Sequence, residues 1–497
     1  MSSPRQVIFI MTDTQGANCV GTYGQPDLQT PRLDRLAAEG ARFDAAHTVC
    51  PVCTAARGAL FTGCYPHTNG AMGNGIPLNW NTRTLGQRLR EAGIATGYTG
   101  KWHLSGLDYF DTGECPDGWE AEYWFDGRNH LDSLPEALRE VSRVYQTTDS
   151  YQQHGFKVEH TFAHGVTERA RRYVRDHAGQ DFCLCVSYDE PHHPSMAPPP
   201  WSDLHHDTVL DTGTAKHDDL ADKPELQKRW ADRVKGHDTR LPEGRYQCQP
   251  YFASNTFVDH EIGRVLDAID EFAPGALVIY TSDHGEMMHA HQLHSKGPAM
   301  YHEITRIPFM VRWPGVIEPG RVDAAPLTQL DVTPTILDFF GLERPPKIEG
   351  RSLLPRLRDP AQAPKGPIFM EFNRFGIEED DLGITPIRCA HDGRFKLSLN
   401  LFDKDELYDL EGDPAESINR IDDSALASER DRLHQAIIHE MYRTHDLFRG
   451  EAWERRSWAS PNLHVPRKPR RFYRPDGYFP HPRNYNNGAP VSPEELC

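Results

Sequence analysis

The stretch Val7-Ile8-Phe9-Ile10-Met11-Thr12-Asp13 decides the fold. Five apolar residues without alternation read as a strand buried on both faces, the pattern of a parallel sheet covered by helices. Thr12-Asp13 cuts the run short and places a carboxylate at the carboxyl end of the strand. Three more runs repeat this design. Ile94 to Thr99 ends at Gly100-Lys101-Trp102-His103, and Phe182 to Tyr188 ends at Asp189-Glu190-Pro191-His192-His193-Pro194. Ala276 to Tyr280 ends at Thr281-Ser282-Asp283-His284-Gly285-Glu286. Amphipathic segments lie between them at 31–39, 84–92 and 253–272, the first opened by Thr30 as N-cap and Pro31 at the first helical position. Strand–helix alternation of this kind predicts an α/β fold, a doubly wound and mostly parallel sheet sandwiched by helices. The working site of such a sheet lies beyond the carboxyl ends of its strands. One polar cluster there is most simply a loop or an N-cap; four on one edge point to chemistry.

Composition bounds the rest. The 497 residues are 38% hydrophobic and 25% charged, enough for a large domain and a smaller one. A formal net charge of -18 excludes a nucleic-acid or anionic-membrane partner. The most basic run, Arg467-Lys468-Pro469-Arg470-Arg471, is short and reads as solvated or intersubunit. Val7–Met11 is too short for a signal-peptide core, and no run of about 18 apolar residues predicts a membrane span. Ten cysteines in this length do not make a disulfide scaffold. Cys183 and Cys185 share one face of a strand and read as reduced core residues, so a cytoplasmic location is expected. The Cys-x-x-Cys spacing of Cys50 and Cys53 has no second pair and carries Pro51, so a redox or metal reading is set aside. The expected organisation is a catalytic α/β domain over 1–360 and a C-terminal subdomain over 361–446. The second is built from antiparallel strands at 368–372, 387–391, 395–399 and 406–410, followed by a helix over 424–442. An extended arm over 447–497, rich in Pro, Arg and aromatics, would cover the body or a neighbouring subunit, which favours a homo-oligomer.

The candidate nucleophile sits in Pro51-Val52-Cys53-Thr54-Ala55-Ala56-Arg57-Gly58-Ala59-Leu60-Phe61-Thr62-Gly63. Cys53 falls near a helix start and Arg57 four residues on, which puts sulfur and guanidinium on one face. The free N–H groups of the helix end lie nearby, so a thiol there is acidified and an oxyanion is held. Asp13, Asp283 and His284 make a hard, oxygen-rich metal set with one imidazole, suited to Ca²⁺, Mg²⁺ or Mn²⁺. Arg57, Lys101 and Lys296 supply cations for a tetrahedral oxyanion, and His103 and His192 can move protons near neutral pH. The set implies hydrolysis of a sulfate or phosphate ester. His289, His291 and His294 follow the metal motif and could be mistaken for a second metal site. Asp259 and His260, inside an apolar helix, read as hydrogen-bonded structural groups.

Together these motifs resemble the type I, formylglycine-dependent sulfatases of the alkaline phosphatase superfamily. Cys53-Thr54-Ala55-Ala56-Arg57 resembles the family signature Cys-x-(Pro/Ala)-x-Arg, and Tyr98 to Leu104 resembles its second signature. Further matches are Pro191-His192-His193-Pro194, Ser282 to Glu286, Lys296-Gly297-Pro298, Arg306-Ile307-Pro308, Trp313-Pro314-Gly315 and Glu406 to Leu410 with Gly412-Asp413-Pro414. The resemblance spans roughly residues 5 to 440 and implies the alkaline phosphatase/sulfatase-like fold. It implies that a maturation enzyme converts Cys53 to formylglycine, and that one divalent cation, Ca²⁺ first with Mn²⁺ or Mg²⁺ as alternatives, is held by Asp13, residue 53, Asp283 and His284. One hydroxyl of the hydrated aldehyde would attack sulfur in line and displace the alcohol. The other would lose its proton to His103, and collapse to the aldehyde would release sulfate. Arg57 would support this cluster, Lys101 and Lys296 would hold sulfate oxygens, and His192 would assist the leaving oxygen. The expected partner is a small anionic sulfate ester.

Three positions depart from the common pattern. Ala55 stands where Pro is frequent, Thr14 where many sulfatases carry a second aspartate, and His284 where many carry Asn. Asp13 with Asp283-His284 resembles the metal set of phosphonate monoester hydrolases and choline sulfatases, and Asn74 falls near the position of a ligand-contacting Asn of the former. Phosphonate monoester or phosphodiester hydrolysis is therefore the alternative activity. The Lys101-x-His103 pair, which the phosphonate enzymes generally lack, favours sulfate. The loops over 106–146 and 201–246 are expected to form the substrate pocket, with Trp119, Tyr123, Trp124, Arg128 and His130 facing a sugar or aryl ring.

Overall fold

The computed structural model describes residues 4–25, 27–106, 110–139, 153–208, 213–234, 249–376 and 383–459. Its strands are β1 (Gln6–Thr12), β2 (Ala41–Phe43), β3 (Ala46–His47), β4 (Ala95–Gly100), β5 (Phe182–Ser187), β6 (Leu277–Ser282), β7 (Phe309–Arg312), β8 (Arg321–Asp323), β9 (Leu327–Thr328), β10 (Ile368–Phe372), β11 (Ile387–His391), β12 (Phe395–Asn400) and β13 (Glu406–Asp409). The main sheet has the order β4-β5-β1-β6-β7-β2-β8. Its four expected strands are mutually parallel neighbours, while β7 runs antiparallel to both β6 and β2. The sheet is therefore mixed and mostly parallel, as the sequence predicts.

Burial on two faces explains the continuous apolar runs. Val7, Phe9 and Met11 enter one core, with Leu60 and Phe61 of the helix Cys53–Thr62 and Ile336 of the helix Val332–Phe339. Ile8 and Ile10 enter the opposite core, with Leu33 of the helix Pro31–Glu39, Ala170 of the helix Phe162–Asp176 and Phe257 of the helix Gln249–Phe272. Each large apolar side chain so buried contributes about 1.5–3 kcal/mol, and a charge inserted in β1 would face one core or the other. Cys183 and Cys185 lie together in the first core, on one face of β5, and the eight cysteines among the described residues are all free.

The four strand ends align because the registers do. Met11 and Gly100 both pair with Ser187, and Thr12 pairs with Ser282, so Asp13, Lys101, Asp189 and Asp283 emerge on one edge. Gly100 has a reason to be glycine there: its φ is +112°, and a Cβ would lie 1.8 Å from the Ser187 carbonyl oxygen. The backbone can thus pass close to β5 as it delivers Lys101.

A second sheet, β10-β11-β12-β13, is antiparallel throughout, and the helix Ala427–Arg443 packs on β11 and β12. Residues 1–463 form one compact unit that includes both sheets. Beyond residue 446 the helical turn Glu451–Glu454 buries Trp453, and the arm from residue 460 onward, with its basic run, lies outside the described residues. Among the described residues no helix is long and apolar enough to cross a membrane.

One local expectation is corrected. Thr30 stands at the N-cap position of Pro31–Glu39, but its hydroxyl accepts from the Gly21 N–H at 2.8 Å and caps no N–H of that helix. The cap comes from Asp259, whose carboxylate accepts the N–H groups of Arg32 at 3.0 Å and Leu33 at 2.8 Å. Asp259→Ala should therefore cost about 1–2 kcal/mol in chemical denaturation, the value of a lost cap. Burial outweighs these bonds and pushes the Asp259 carboxyl up to about 7. The sign follows: a carboxyl raised in the folded state stabilises most at low pH, and this contribution declines as pH rises from about 4, the unfolded value, through 7. Relative to Asp259→Asn, the wild type should lose stability across that window; a pH-independent difference would show that Asp259 stays ionised.

Candidate active site

Cys53 is the first residue of the helix Cys53–Thr62, with Val52 as an extended N-cap, and every residue of that helix is buried. Its sulfur lies 3.2 Å from His284 Nε2 and 3.7 Å from Asp13 Oδ1. The donor atoms of Asp13, Cys53, Asp283 and His284 all lie within 4.8 Å of one another, and all four residues are buried. The His284 ring is oriented from behind: Nδ1 donates to the Gly285 carbonyl at 2.9 Å, which turns Nε2 toward the cluster.

Arg57, wholly buried one turn along, ties the two carboxylates together. Its Nη2 donates to Asp13 Oδ2 at 3.0 Å and its Nε to Asp283 Oδ2 at 3.1 Å. Its Nη1 donates to the Lys101 carbonyl at 2.7 Å and the Ser187 hydroxyl at 2.8 Å, which pins the guanidinium to the ends of β4 and β5. Lys101 Nζ bridges Asp13 at 2.7 Å and Asp189 at 3.0 Å. On the other side Lys296 Nζ stands 3.2 Å from His192 Nε2, which is 4.0 Å from Asp13 Oδ1. His103, in the left-handed region at φ 59°, hydrogen-bonds Cys53. All nine residues singled out in the sequence thus surround one point.

Thr14, where a second aspartate is common, holds the site through its backbone. Its φ of 63° is costly for a β-branched residue. In return its N–H donates to Asp283 Oδ1 at 3.0 Å and its hydroxyl to Asp13 Oδ1 at 2.6 Å. Two further residues carry no motif signal. Gln329 donates to the Ser282 and Asp283 carbonyls at 2.8 and 2.6 Å, and Asp189 balances Lys101. Asp189 follows an apolar run, as Asp13 does, and that was its only mark in the sequence.

The electrostatics separate like groups. Burial and Asp13 raise the Cys53 thiol, but Lys296, Lys101 and His284 outweigh them and hold it well below the usual thiol value. Cys50, three residues earlier, lacks these neighbours, and burial pushes it well above. Burial also raises Asp13, yet Lys101, His192, Arg57 and Lys296 hold its carboxyl well below the usual range. Asp283 takes the opposite course: burial and the Asp13 charge push it up to about 7. Burial and Lys101 lower His103, so it is neutral and able to accept a proton at pH 7.

A cavity of about 360 Å³ opens beside Lys101, Asp189 and His192, with Phe110, Phe156 and Phe162 among its walls. Of the five residues assigned to this pocket from composition, His130 lines it. Trp119, Tyr123 and Trp124 are buried in the two cores instead, and Arg128 stacks over Phe110. The loop segments 107–109, 140–152, 209–212 and 235–248 lie outside the described residues. His289, His291 and His294 do not converge: His291 Nδ1 bonds Asp218 at 2.7 Å, and His294 stacks on His289.

The Sulfatase family model matches residues 5–342, and the model for the N-sulphoglucosamine sulphohydrolase C-terminal region matches residues 290–443. The uncharacterized sulfatase YidJ of Escherichia coli (strain K12) is 42% identical over 497 residues, covering 97% of this chain and 96% of its own. Two solved structures share the fold at 23% identity. One is an enzyme in complex with its substrate D-glucosamine-2-N,6-O-disulfate, with a TM-score of 0.72 over 90% of this chain and 99% of that one. The other is a phosphonate monoester hydrolase from Silicibacter pomeroyi, with a TM-score of 0.73 over 89% of this chain and 96% of that one.

Proposed function

This chain belongs to the sulfatase family and is a sulfuric ester hydrolase, and from that premise we propose that it cleaves a sulfate monoester at the Cys53 edge of the sheet through a formylglycine at position 53. The observation that carries this reading is the convergence of Asp13, Cys53, Asp283 and His284 at the start of one buried helix, ringed by Arg57, Lys101 and Lys296. The donor set fits a divalent cation. Two carboxylates and an imidazole are hard or borderline ligands, whereas a thiolate is soft, so the set becomes uniform when an oxygen replaces sulfur at residue 53. The raised Asp283 carboxyl supports the same fit, since a cation between the two acids relieves the repulsion that raises it. Ca²⁺ suits the set best, with Mn²⁺ or Mg²⁺ as alternatives; bound there, the ion polarises the ester and lowers the pKa of a hydroxyl on residue 53.

The chain's own groups divide the remaining work. Lys101 and Lys296 hold the sulfate oxygens from two sides; burial opposes their charge, but the neighbouring anions, Asp13 and Asp189 at Lys101 and Asp13 and Asp283 at Lys296, outweigh it and keep both charged. His192, beside Lys296, donates a proton to the leaving oxygen. His103, neutral and bonded to residue 53, takes the proton from the second hydroxyl, so sulfate is expelled without a separate water attacking a crowded anion. The cavity beside the site takes the alcohol. Its aromatic walls suit a ring. Maturation of Cys53 requires a formylglycine-generating enzyme as partner.

Phosphonate monoester hydrolysis is the second reading. It is favoured by Asn74, whose Oδ1 accepts the Thr54 N–H at 3.2 Å and so stands beside the nucleophile. Initial rates on an aryl sulfate and an aryl phosphonate monoester separate the two. We expect a kcat/KM at least about tenfold higher for the sulfate, equivalent to about 1.4 kcal/mol in transition-state binding; a far larger constant for the phosphonate would reverse the assignment. Dialysis against EDTA should abolish turnover and added Ca²⁺ or Mn²⁺ restore it. Full activity in the chelated enzyme would remove the cation from the mechanism.

A further inference from the structure

We propose that His47, His302 and His391 form a second metal site, which takes a borderline transition-metal ion of the Zn²⁺ type. The three residues come from separate elements. His47 ends β3, His302 opens the helical turn His302–Thr305, and His391 ends β11 of the antiparallel sheet. Their ring centroids are 5.3 Å apart for His47 and His302, 5.0 Å for His47 and His391, and 5.6 Å for His302 and His391. One nitrogen from each ring lies within 4.8 Å of one from each of the others. The planes are inclined by 46°, 67° and 69°, so the rings do not stack.

Two nitrogens of these rings lack a hydrogen-bond partner. His47 Nδ1 and His302 Nε2 are buried and make no hydrogen bond. A single unpaired buried polar atom is an exception that calls for an explanation; two in one cluster point to a missing common ligand. Burial leads in lowering all three imidazoles, His391 to about 4, so each is neutral and offers a lone pair. Lys396 and Arg306 face the cluster and oppose a cation, but both are engaged elsewhere. Lys396 pairs with Glu416 and donates to the Met300 carbonyl, and Arg306 Nε donates to the Asp44 carbonyl at 2.7 Å. The Glu416 carboxylate also accepts the backbone N–H of His302 at 2.7 Å and stands 3.9 Å from its Nδ1, a nearby negative charge that favours a cation.

The donor type sets the ion. Three imidazoles without a carboxylate favour Zn²⁺, Co²⁺, Ni²⁺ or Cu²⁺ over the hard cations that suit Asp13 and Asp283. Zn–N distances of about 2.0–2.1 Å place tetrahedral nitrogens roughly 3.4 Å apart, within reach of small ring rotations. His302, with its side chain 25% exposed, gives the ion an entry path. A bound ion would clip β3 and the turn at His302 to β11 and so fasten the antiparallel sheet.

The test is to titrate the full-length protein, held in excess Ca²⁺, with Co²⁺ and follow the visible ligand-field bands. The wild type and Asp13→Asn should each take up about one equivalent with tetrahedral bands that Zn²⁺ displaces, and Zn²⁺ should raise Tm by several degrees. His391→Ala and the more exposed His302→Gln should each lose the bands while keeping aryl sulfatase turnover. Absence of bands in the wild type, or bands that survive in His302→Gln and vanish in Asp13→Asn, would overturn the proposal.

Discussion

Cys53→Ala should lower kcat/KM toward an aryl sulfate by at least about 10⁴-fold, the scale on which removal of a covalent nucleophile acts. The fold should survive. Cys53 is fully buried, but its sulfur faces the polar groups His284, Asp13 and His103 and belongs to none of the apolar cores. Loss of one small side chain costs on the order of 1 kcal/mol, a minor shift in Tm for a chain of this size. Rates and unfolding measured on the same preparation therefore separate chemistry from stability. The paired observation is the mass of the tryptic peptide over residues 43–57, in which an aldehyde at position 53 removes the sulfur. Cys50 shares that peptide and serves as an internal control, because burial leaves it a protonated, inert thiol. A variant that retained turnover, or an active wild type with an intact thiol at 53, would place the nucleophile elsewhere.

The parts of this molecule that the sequence reveals are those whose cause is local. Val7–Met11 and Phe182–Tyr188 announce themselves because a strand buried on both faces must be apolar at every position. The polar clusters that close these runs could then be collected on one edge by topology alone. The short strands β2, β3, β8 and β9 are two or three residues long and carry no such signature. The capping of Pro31–Glu39 misled for a related reason: Thr30 satisfied the local rule, but the acceptor came from Asp259, far along the chain. Composition alone failed for Trp119, Tyr123 and Trp124. Their rings suit a sugar as well as a core, and here Tyr98 stacks with Trp124 while Phe61 and Trp102 pack on Trp119. Gln329 and the histidine cluster were equally silent, since each depends on elements that meet only in the folded chain.

Arg57→Ala should cost about 3–5 kcal/mol of stability, the range seen when one partner of a buried ion pair is deleted. The guanidinium is wholly buried and spans Asp13 and Asp283, so its removal leaves two carboxylates facing each other without the one group that pairs with both. Asp283, already raised by burial and by Asp13, loses its guanidinium partner and should take up a proton more readily. Ca²⁺ should narrow the deficit, because an ion shared by the two acids replaces part of the missing charge. Arg57→Lys should recover less than half of the loss, since one ammonium cannot reach both carboxylates and the Lys101 carbonyl at once. Denaturant unfolding of the three proteins with and without Ca²⁺ reads all of these effects. If Arg57→Ala unfolded with the wild-type free energy and Ca²⁺ made no difference, the carboxylates would not depend on the guanidinium, and the cation-binding edge built around Asp13 and Asp283 would have to be abandoned.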